Sequence, residues 1–286
     1  LVSALCTEAQ LTSPSFAAWA EVLRPAWDPA GTGRPAPLHR KVWEWVFIAE
    51  ALRERGMLRP GRRGLGFGVG TEPLVALFAS YGCEIVATDL DDVRAIEVGW
   101  SATGQHAADL ADLNRLGLCP QPQFERQVTF QVVDMNEVPA DLEGFDFCWS
   151  SCALEHLGTI GAGQEFVFAS MRTLRPGGVA VHTTEFNVSS NEETVDGNGT
   201  VLFRRRDIEE TATRLRLQGH KVSVDFDAGE GLADDHVDVP PYSDTHLKIE
   251  LAQFVSTSIG LIVETRPSRI ARAVASRWAR ARARHA

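Results

Sequence analysis

A chain of 286 residues, 44% apolar and 23% charged, has enough material to bury one full α/β core. Its net charge of −10 argues against nucleic acid as the main partner, because such binding carries a basic footprint. Five scattered cysteines form no even framework, no apolar run nears the ~20 residues of a membrane span, and the first residues lack a basic region followed by an apolar core, so a reduced, cytoplasmic protein is expected.

Residues 1–60 read as an N-terminal helical cap. Ser13 precedes Pro14-Ser15-Phe16 as the cap of a short helix. A stronger helix is expected over 38–55, where Val42, Trp45, Val46, Ala49 and Leu52 recur at three and four residues and Gly56 supplies the stop. It is expected to pack beside a ligand site. From Arg63 the pattern becomes short apolar runs alternating with amphipathic stretches, the mark of a mostly parallel, doubly wound α/β sheet. Strands are placed near 63–67, 84–88, 128–133, 145–149 and 178–184, and helices near 71–81, 91–99, 161–174 and 206–218. Two last strands, about 220–226 and 252–264, are separated by an irregular loop, 228–245, and are read as an antiparallel return. The body thus runs over 61–265. Residues 266–286 form a separate basic tail with seven arginines and no acid.

The segment Gly64-Leu65-Gly66-Phe67-Gly68-Val69-Gly70 joins a strand to a helix, with glycine where backbone turns tightly and lets a ligand approach closely. A tight turn without ligand explains the glycines alone. No starting position gives Gly-x-Gly-x-x-Gly, so a dinucleotide fingerprint is missing. Nineteen residues after Gly70, the run Glu84-Ile85-Val86-Ala87-Thr88-Asp89 reads as a strand ending in an acid. A carboxylate there can accept both hydroxyls of a ribose, or cap the next helix.

These motifs, with Val132-Val133-Asp134-Met135, Phe145-Asp146-Phe147-Cys148-Trp149-Ser150 and Leu174-Arg175-Pro176-Gly177-Gly178, follow one another in the order found in class I S-adenosylmethionine-dependent methyltransferases, which the chain resembles from about 63 to 265. The resemblance implies a Rossmann-like, seven-stranded sheet with an antiparallel last strand. It also implies S-adenosyl-L-methionine as cofactor, held by Gly66, Gly68, Gly70, Asp89, Leu90, Asp134, Met135 and Ser150.

Methyl transfer needs an aligned acceptor and often a base. His156, after the fourth parallel strand, is the candidate base, with a turn-capping histidine as the plainer reading. Glu155 and His156 resemble the end of the Glu-x-x-Glu-His metal motif of small-RNA 2'-O-methyltransferases and ubiquinone-pathway O-methyltransferases, with Cys152 in place of the first glutamate. That resemblance implies a divalent cation, Mg or Mn, on Glu155 and His156, with His182 and Glu185 as substitute ligands; a polar rim touching substrate directly is the competing view. Cys148 and Cys152 are read as packing residues. Asp238-Val239-Pro240-Pro241-Tyr242 is similar to the Pro-Pro-Tyr motif of amino-methylating enzymes, but it carries an extra residue and lies beyond the sixth strand, which favours an oxygen acceptor.

The polar stretch from Asn187 to Arg206, and a loop carrying Asp234, Asp235, His236, Asp238, Tyr242 and His246, offer groups suited to hydroxyls. The Glu-His and His-Thr-Thr-Glu-Phe-Asn segments look similar to methyltransferases of glycan and polysaccharide pathways. A sugar hydroxyl is the expected acceptor, RNA 2'-O-methylation the alternative enzyme reading, and a methyltransferase-like binding module the third. The tail places Ile270, Val274 and Trp278 at four-residue spacing among arginines, so peripheral membrane contact stands beside a solvated terminus.

Overall fold

The computed structural model describes residues 1–91, 110–197 and 199–266. The helix expected near 91–99 and the basic tail beyond 266 lie outside the described residues. Among those described, no helix is long and apolar enough to cross a membrane.

The chain opens with strand β1 (Ala4–Leu5) and helices α1 (Glu8–Leu11) and α2 (Pro14–Leu23). Ser13 caps α2, its hydroxyl accepting the Phe16 amide. After β2 (Leu38–His39), α3 (Arg40–Glu54) starts with its N-terminal turn capped by His39. Then come β3 (Arg63–Phe67), α4 (Leu74–Ser80), β4 (Glu84–Asp89), α5 (Gln121–Gln127), β5 (Val128–Val132), β6 (Phe145–Ser151), α6 (Ile160–Arg172) and β7 (Leu174–Asn187). The last part holds α7 (Arg205–Leu217), α8 (Leu232–Asp235), β8 (Val237–Asp238), β9 (Thr245–His246), β10 (Lys248–Leu251) and β11 (Phe254–Glu264).

The main sheet has nine strands in the order β5-β4-β3-β6-β7-β11-β10-β8, with β1 also paired to β11. The first five are mutually parallel, and β11 runs antiparallel to β7 from Ser256 opposite Asn187 to Glu264 opposite Val179. Strand order reverses between β3 and β6, which opens a ligand crevice at their carboxyl ends. Every residue of β6 is buried, as expected of a strand covered on both faces. One apolar cluster packs Trp43, Phe47, Phe78, Phe147 and Trp149 under α2, α3 and α4, and a second packs Phe67, Phe145, Phe166, Ile208 and Leu261 under α6 and α7.

The sheet exceeds the expected seven strands because β10 and β8 extend it beyond β11, while the N-terminal β1 takes the place of the expected sixth strand. Ala4 and Leu5 pair with Gly260 and Ile259 on the edge of β11. That pairing takes backbone groups of β11 that the segment 220–226 needs to form the expected sixth strand. The segment keeps only single bridges, Lys221 to Glu264 and Val224 to Ser3. Helix α3 lies directly on β11, where a Cβ at Gly260 would collide with the Phe47 ring. The N-terminal turn of α3 is thereby fixed over the carboxyl ends of the strands.

Candidate active site

Gly68 and Gly70 adopt left-handed backbone, with φ of 53° and 52°. A Cβ on Gly68 would stand 3.0 Å from the Ala153 Cβ and 3.1 Å from the Met135 Sδ, and one on Gly66 would meet the Trp149 ring at 2.5 Å. The loop is therefore a cradle that side chains would fill. Asp89, buried at the end of β4, accepts the Gly70 amide on Oδ2 and the Leu90 amide on Oδ1, each at 2.9 Å. The Thr88 hydroxyl donates to the Gly66 carbonyl at 2.8 Å, tying the same two elements. Asp134 accepts the Asn136 amide at 2.8 Å and caps the turn that buries Met135 beneath Gly68. Gly66, Gly68, Gly70, Asp89, Leu90, Asp134 and Met135 thus gather at the carboxyl ends of β3, β4 and β5.

Ser150 departs from expectation. Its hydroxyl lies 2.9 Å from His182 Nδ1, and the residue is fully buried, so its side chain belongs to the core. His182 Nε2 lies 2.9 Å from Ser170 Oγ. The Ser170 hydroxyl donates to the Val167 carbonyl, so Nε2 carries the ring proton and donates to Ser170, while Nδ1 accepts from Ser150. Burial holds the His182 pKa down at about 3, and the ring stays neutral. With both nitrogens taken, His182 cannot ligate a metal. Side chains alternate along a strand, and the neighbour, Ser151, faces the site instead. Its hydroxyl donates to Glu72 at 3.2 Å and to Glu44 at 3.4 Å.

Around Ser151 stands a buried charged network that α3 supplies. Lys41 Nζ lies 2.9 Å from Glu44 and 3.1 Å from Glu72. Arg40 pairs closely with Glu185 and faces Glu44 at 3.7 Å. Glu44 accepts the Ser258 hydroxyl at 2.5 Å, and Glu185 accepts that of Ser256 at 2.6 Å. Burial opposes the Glu44 charge, but Lys41 and Arg40 outweigh it and hold its pKa at about 2. Glu72 and Glu155 are moved the other way, chiefly by burial, toward the protonated form. Two cations, Arg40 and Lys41, therefore sit among four acids, two of which burial moves toward the protonated form.

Cys152 continues β6 in a left-handed conformation, φ 45°, with its amide on the Thr183 carbonyl and hydroxyl, both 3.1 Å away. This turn carries Glu155 inward, where it accepts the Thr184 hydroxyl at 3.0 Å. Cys152 Sγ and one oxygen each of Glu155 and Glu185 lie within 4.8 Å of one another. The set fits a divalent cation poorly. Arg40 already neutralises Glu185, and burial pushes the Cys152 thiol well above its usual range, so it stays protonated. His156 is exposed, with Nδ1 donating to the Gly199 carbonyl at 2.8 Å, on the loop that covers this turn. Glu155, His156, His182 and Glu185 are not assembled as one ligand set.

A family model described as a methyltransferase domain matches residues 65–182, which span β3 to the middle of β7. Residues 65–182 of this chain thus form a methyltransferase domain. The [4+2]-cyclase SpnF shares the fold, at 16% identity over 88% of this chain and 96% of that one, with a TM-score of 0.51. A DhpI complex with SAH matches at 17% identity over 91% and 97% of the two chains, with a TM-score of 0.45. The glycopeptide N-methyltransferase MtfA matches at 13% identity over 77% and 94%, with a TM-score of 0.46. No curated protein matches the sequence.

The methyltransferase domain ends short of several groups at the site. Arg40, Lys41 and Glu44 come from α3, and Ser256 and Ser258 from β11. Sequence periodicity counted α3 as a packing helix and passed over its charges. The signal was there: Arg40, Lys41 and Glu44 put three charges in the first turns of the helix, and Glu44 falls on its buried face. Glu72 was hidden because it follows the glycine loop as one more turn residue.

Proposed function

We propose that the domain transfers a methyl group to a hydroxyl oxygen of a small polar acceptor, with sugars and oligosaccharides as the acceptor class. The observation that carries this reading is the network of Arg40, Lys41, Glu44, Glu72, Glu155 and Glu185 beside the glycine cradle. Its alternating donors and acceptors match a polyhydroxylated molecule better than an apolar one. S-adenosyl-L-methionine, when bound, supplies a methyl on a sulfonium, and the sulfur keeps the C–S electron pair as the new O–CH3 bond forms. Gly66, Gly68 and Gly70 leave room for it, and Asp89 and Asp134 border its ribose and adenine. Glu72 and Glu155 offer carboxyl oxygens to hydroxyls of the acceptor. His156, on the rim of the same turn, takes the proton that the hydroxyl loses. The direct test is a screen of sugars, glycosides, phenols and amines for homocysteine release. Turnover of hydroxylated acceptors is expected, and turnover confined to amines would overturn the oxygen assignment.

A further inference from the structure

A second polar group stands on the same rim, one residue before Arg40. β2 and β9 run parallel, pairing Leu38 with Thr245 and His39 with His246, which stitches the start of α3 to the long loop after α7. The two imidazoles stack with centroids 4.5 Å apart and 26° between planes. Asp238, itself buried, meets His246 Nδ1 at 2.6 Å and accepts the Ser243 amide at 2.9 Å. An acceptor-only carboxylate fixes the ring proton on Nδ1, which leaves a lone pair on His246 Nε2.

His39 has the opposite arrangement. Its Nδ1 accepts the Lys41 amide at 3.0 Å, so Nε2 carries the proton. Burial, together with the neighbouring His246 and Arg40, lowers the His39 pKa to about 4, and the ring is neutral near pH 7. Among the described residues neither Nε2 has a hydrogen-bond partner, and neither is sealed from solvent. The stacked rings therefore offer one N–H donor and one lone pair from adjacent positions. A hydroxyl both gives and takes a hydrogen bond and satisfies the two together. A carboxylate or phosphate oxygen leaves the His246 lone pair unmet, and an ammonium group leaves the His39 proton unmet.

We propose that His39 and His246 form a hydroxyl-binding subsite for the acceptor. Asp238 is its positioning residue. Tyr242, half exposed with its ring 4.8 Å from that of His246, supplies an apolar wall for the C–H face of a sugar. Lys41, two residues beyond His39, reaches Glu72 just past the glycine loop, so the subsite and the cofactor cradle border one rim. The proposal rests on the reading of the acceptor as a hydroxylated molecule.

The test follows the ring proton NMR signals of His39 and His246, assigned with His39→Asn and His246→Gln, as methyl α-D-glucopyranoside and methyl α-D-mannopyranoside are added to the protein saturated with S-adenosylhomocysteine. Both sets of signals are expected to move. With a turned-over acceptor, either variant should raise KM about ten-fold, the loss of one net hydrogen bond, with kcat changed by less than about two-fold. Asp238→Ala, which removes the acceptor that fixes the ring proton on Nδ1, should raise KM in the same way, and S-adenosylhomocysteine affinity should hold in all three. Hydroxyl acceptors methylated with unchanged KM in both histidine variants would overturn the subsite, as would signals that respond to inorganic phosphate and not to glycosides. Turnover confined to amines, with the histidine signals still moved by glycosides, would overturn the functional reading and leave the subsite standing.

Discussion

Lys41 holds Glu72 across 3.1 Å, and through that contact α3 is fastened to the turn that follows the glycine loop. Burial alone would strip the proton from Lys41, but Glu44 and Glu72 keep its pKa well above the usual lysine value. Removing the cation leaves two buried acids facing each other. Lys41→Met should therefore lower the unfolding free energy by about 1–3 kcal/mol, less than for a fully buried pair because the Lys41 side chain keeps a quarter of its surface in solvent. Glu72→Gln should cost less, because burial already biases Glu72 to its neutral form. Urea unfolding of both variants measures the difference, and a neutral Lys41→Met would show that the network does not hold the fold.

Asp89 does two jobs with one carboxylate. Each oxygen accepts one amide, from Gly70 or Leu90, and an asparagine has only one oxygen to offer. Asp89→Asn sets an NH2 group against one of those N–H donors, which distorts the loop while keeping the side chain's size. Calorimetry should show S-adenosylmethionine affinity reduced roughly 5- to 150-fold, given about 1–3 kcal/mol for an unsatisfied buried donor. Unchanged affinity would remove Asp89 from the cofactor site.

His182 makes stability depend on pH in a stated direction. Its folded pKa of about 3 lies below the ordinary 6.5, so as pH falls through 6.5 the unfolded chain takes a proton that the native ring refuses. Stability is full above pH 6.5 and declines toward pH 3, by at most about 1.4 kcal/mol per pH unit for one group. Glu44, with a folded pKa of about 2 against an ordinary 4.5, adds its own decline as pH falls from 4.5 to 2. His182→Gln, which can still bond Ser150 and Ser170, should make the profile shallower between pH 6.5 and 4.5, where His39, with a pKa of about 4, supplies slope that remains. An equally steep variant would assign the loss to other groups.

The parallel half of the fold was legible because its strands are short apolar runs that end at glycine or an acid, as at Phe67-Gly68 and Thr88-Asp89. The antiparallel edge was less so. Strand pairing at β11 is decided between segments some 250 residues apart, and nothing local to Ser3-Ala4-Leu5 or to 220–226 says which of them wins. The site divided in the same way. Asp89 and Asp134 announce themselves by ending strands, whereas Ser150 and Ser151 are adjacent serines whose roles depend on which face of β6 each one takes. His182 looked like a ligand by type and spacing, and only the two serines packed on either side of it give it a different role.

His156→Ala separates proton transfer from binding. The ring sits outside the glycine cradle, on the turn closed by the Gly199 carbonyl, so its loss should lower turnover on the order of 100-fold while leaving S-adenosylmethionine affinity unchanged. Stopped assays of homocysteine release, alongside calorimetry, read the two quantities. A variant with normal turnover would hand the proton to solvent or to another group.

Arg40 stands where a divalent ion would otherwise be needed. Its guanidinium pairs with Glu185 and faces Glu44, so the acids nearest Cys152 and Glu155 already have a resident cation. Dialysis against a chelator should leave turnover of the wild-type protein unchanged. Arg40→Ala removes that charge and leaves Glu44 paired with Lys41 and Glu185 without its ion-pair partner, an arrangement hard anionic oxygens resolve by taking up a metal. The variant should therefore unfold at a lower temperature than the wild type and recover part of the loss when magnesium or manganese is added, whereas the wild type should not respond. A wild-type protein that loses activity on chelation would mean that the acids bind a metal alongside Arg40.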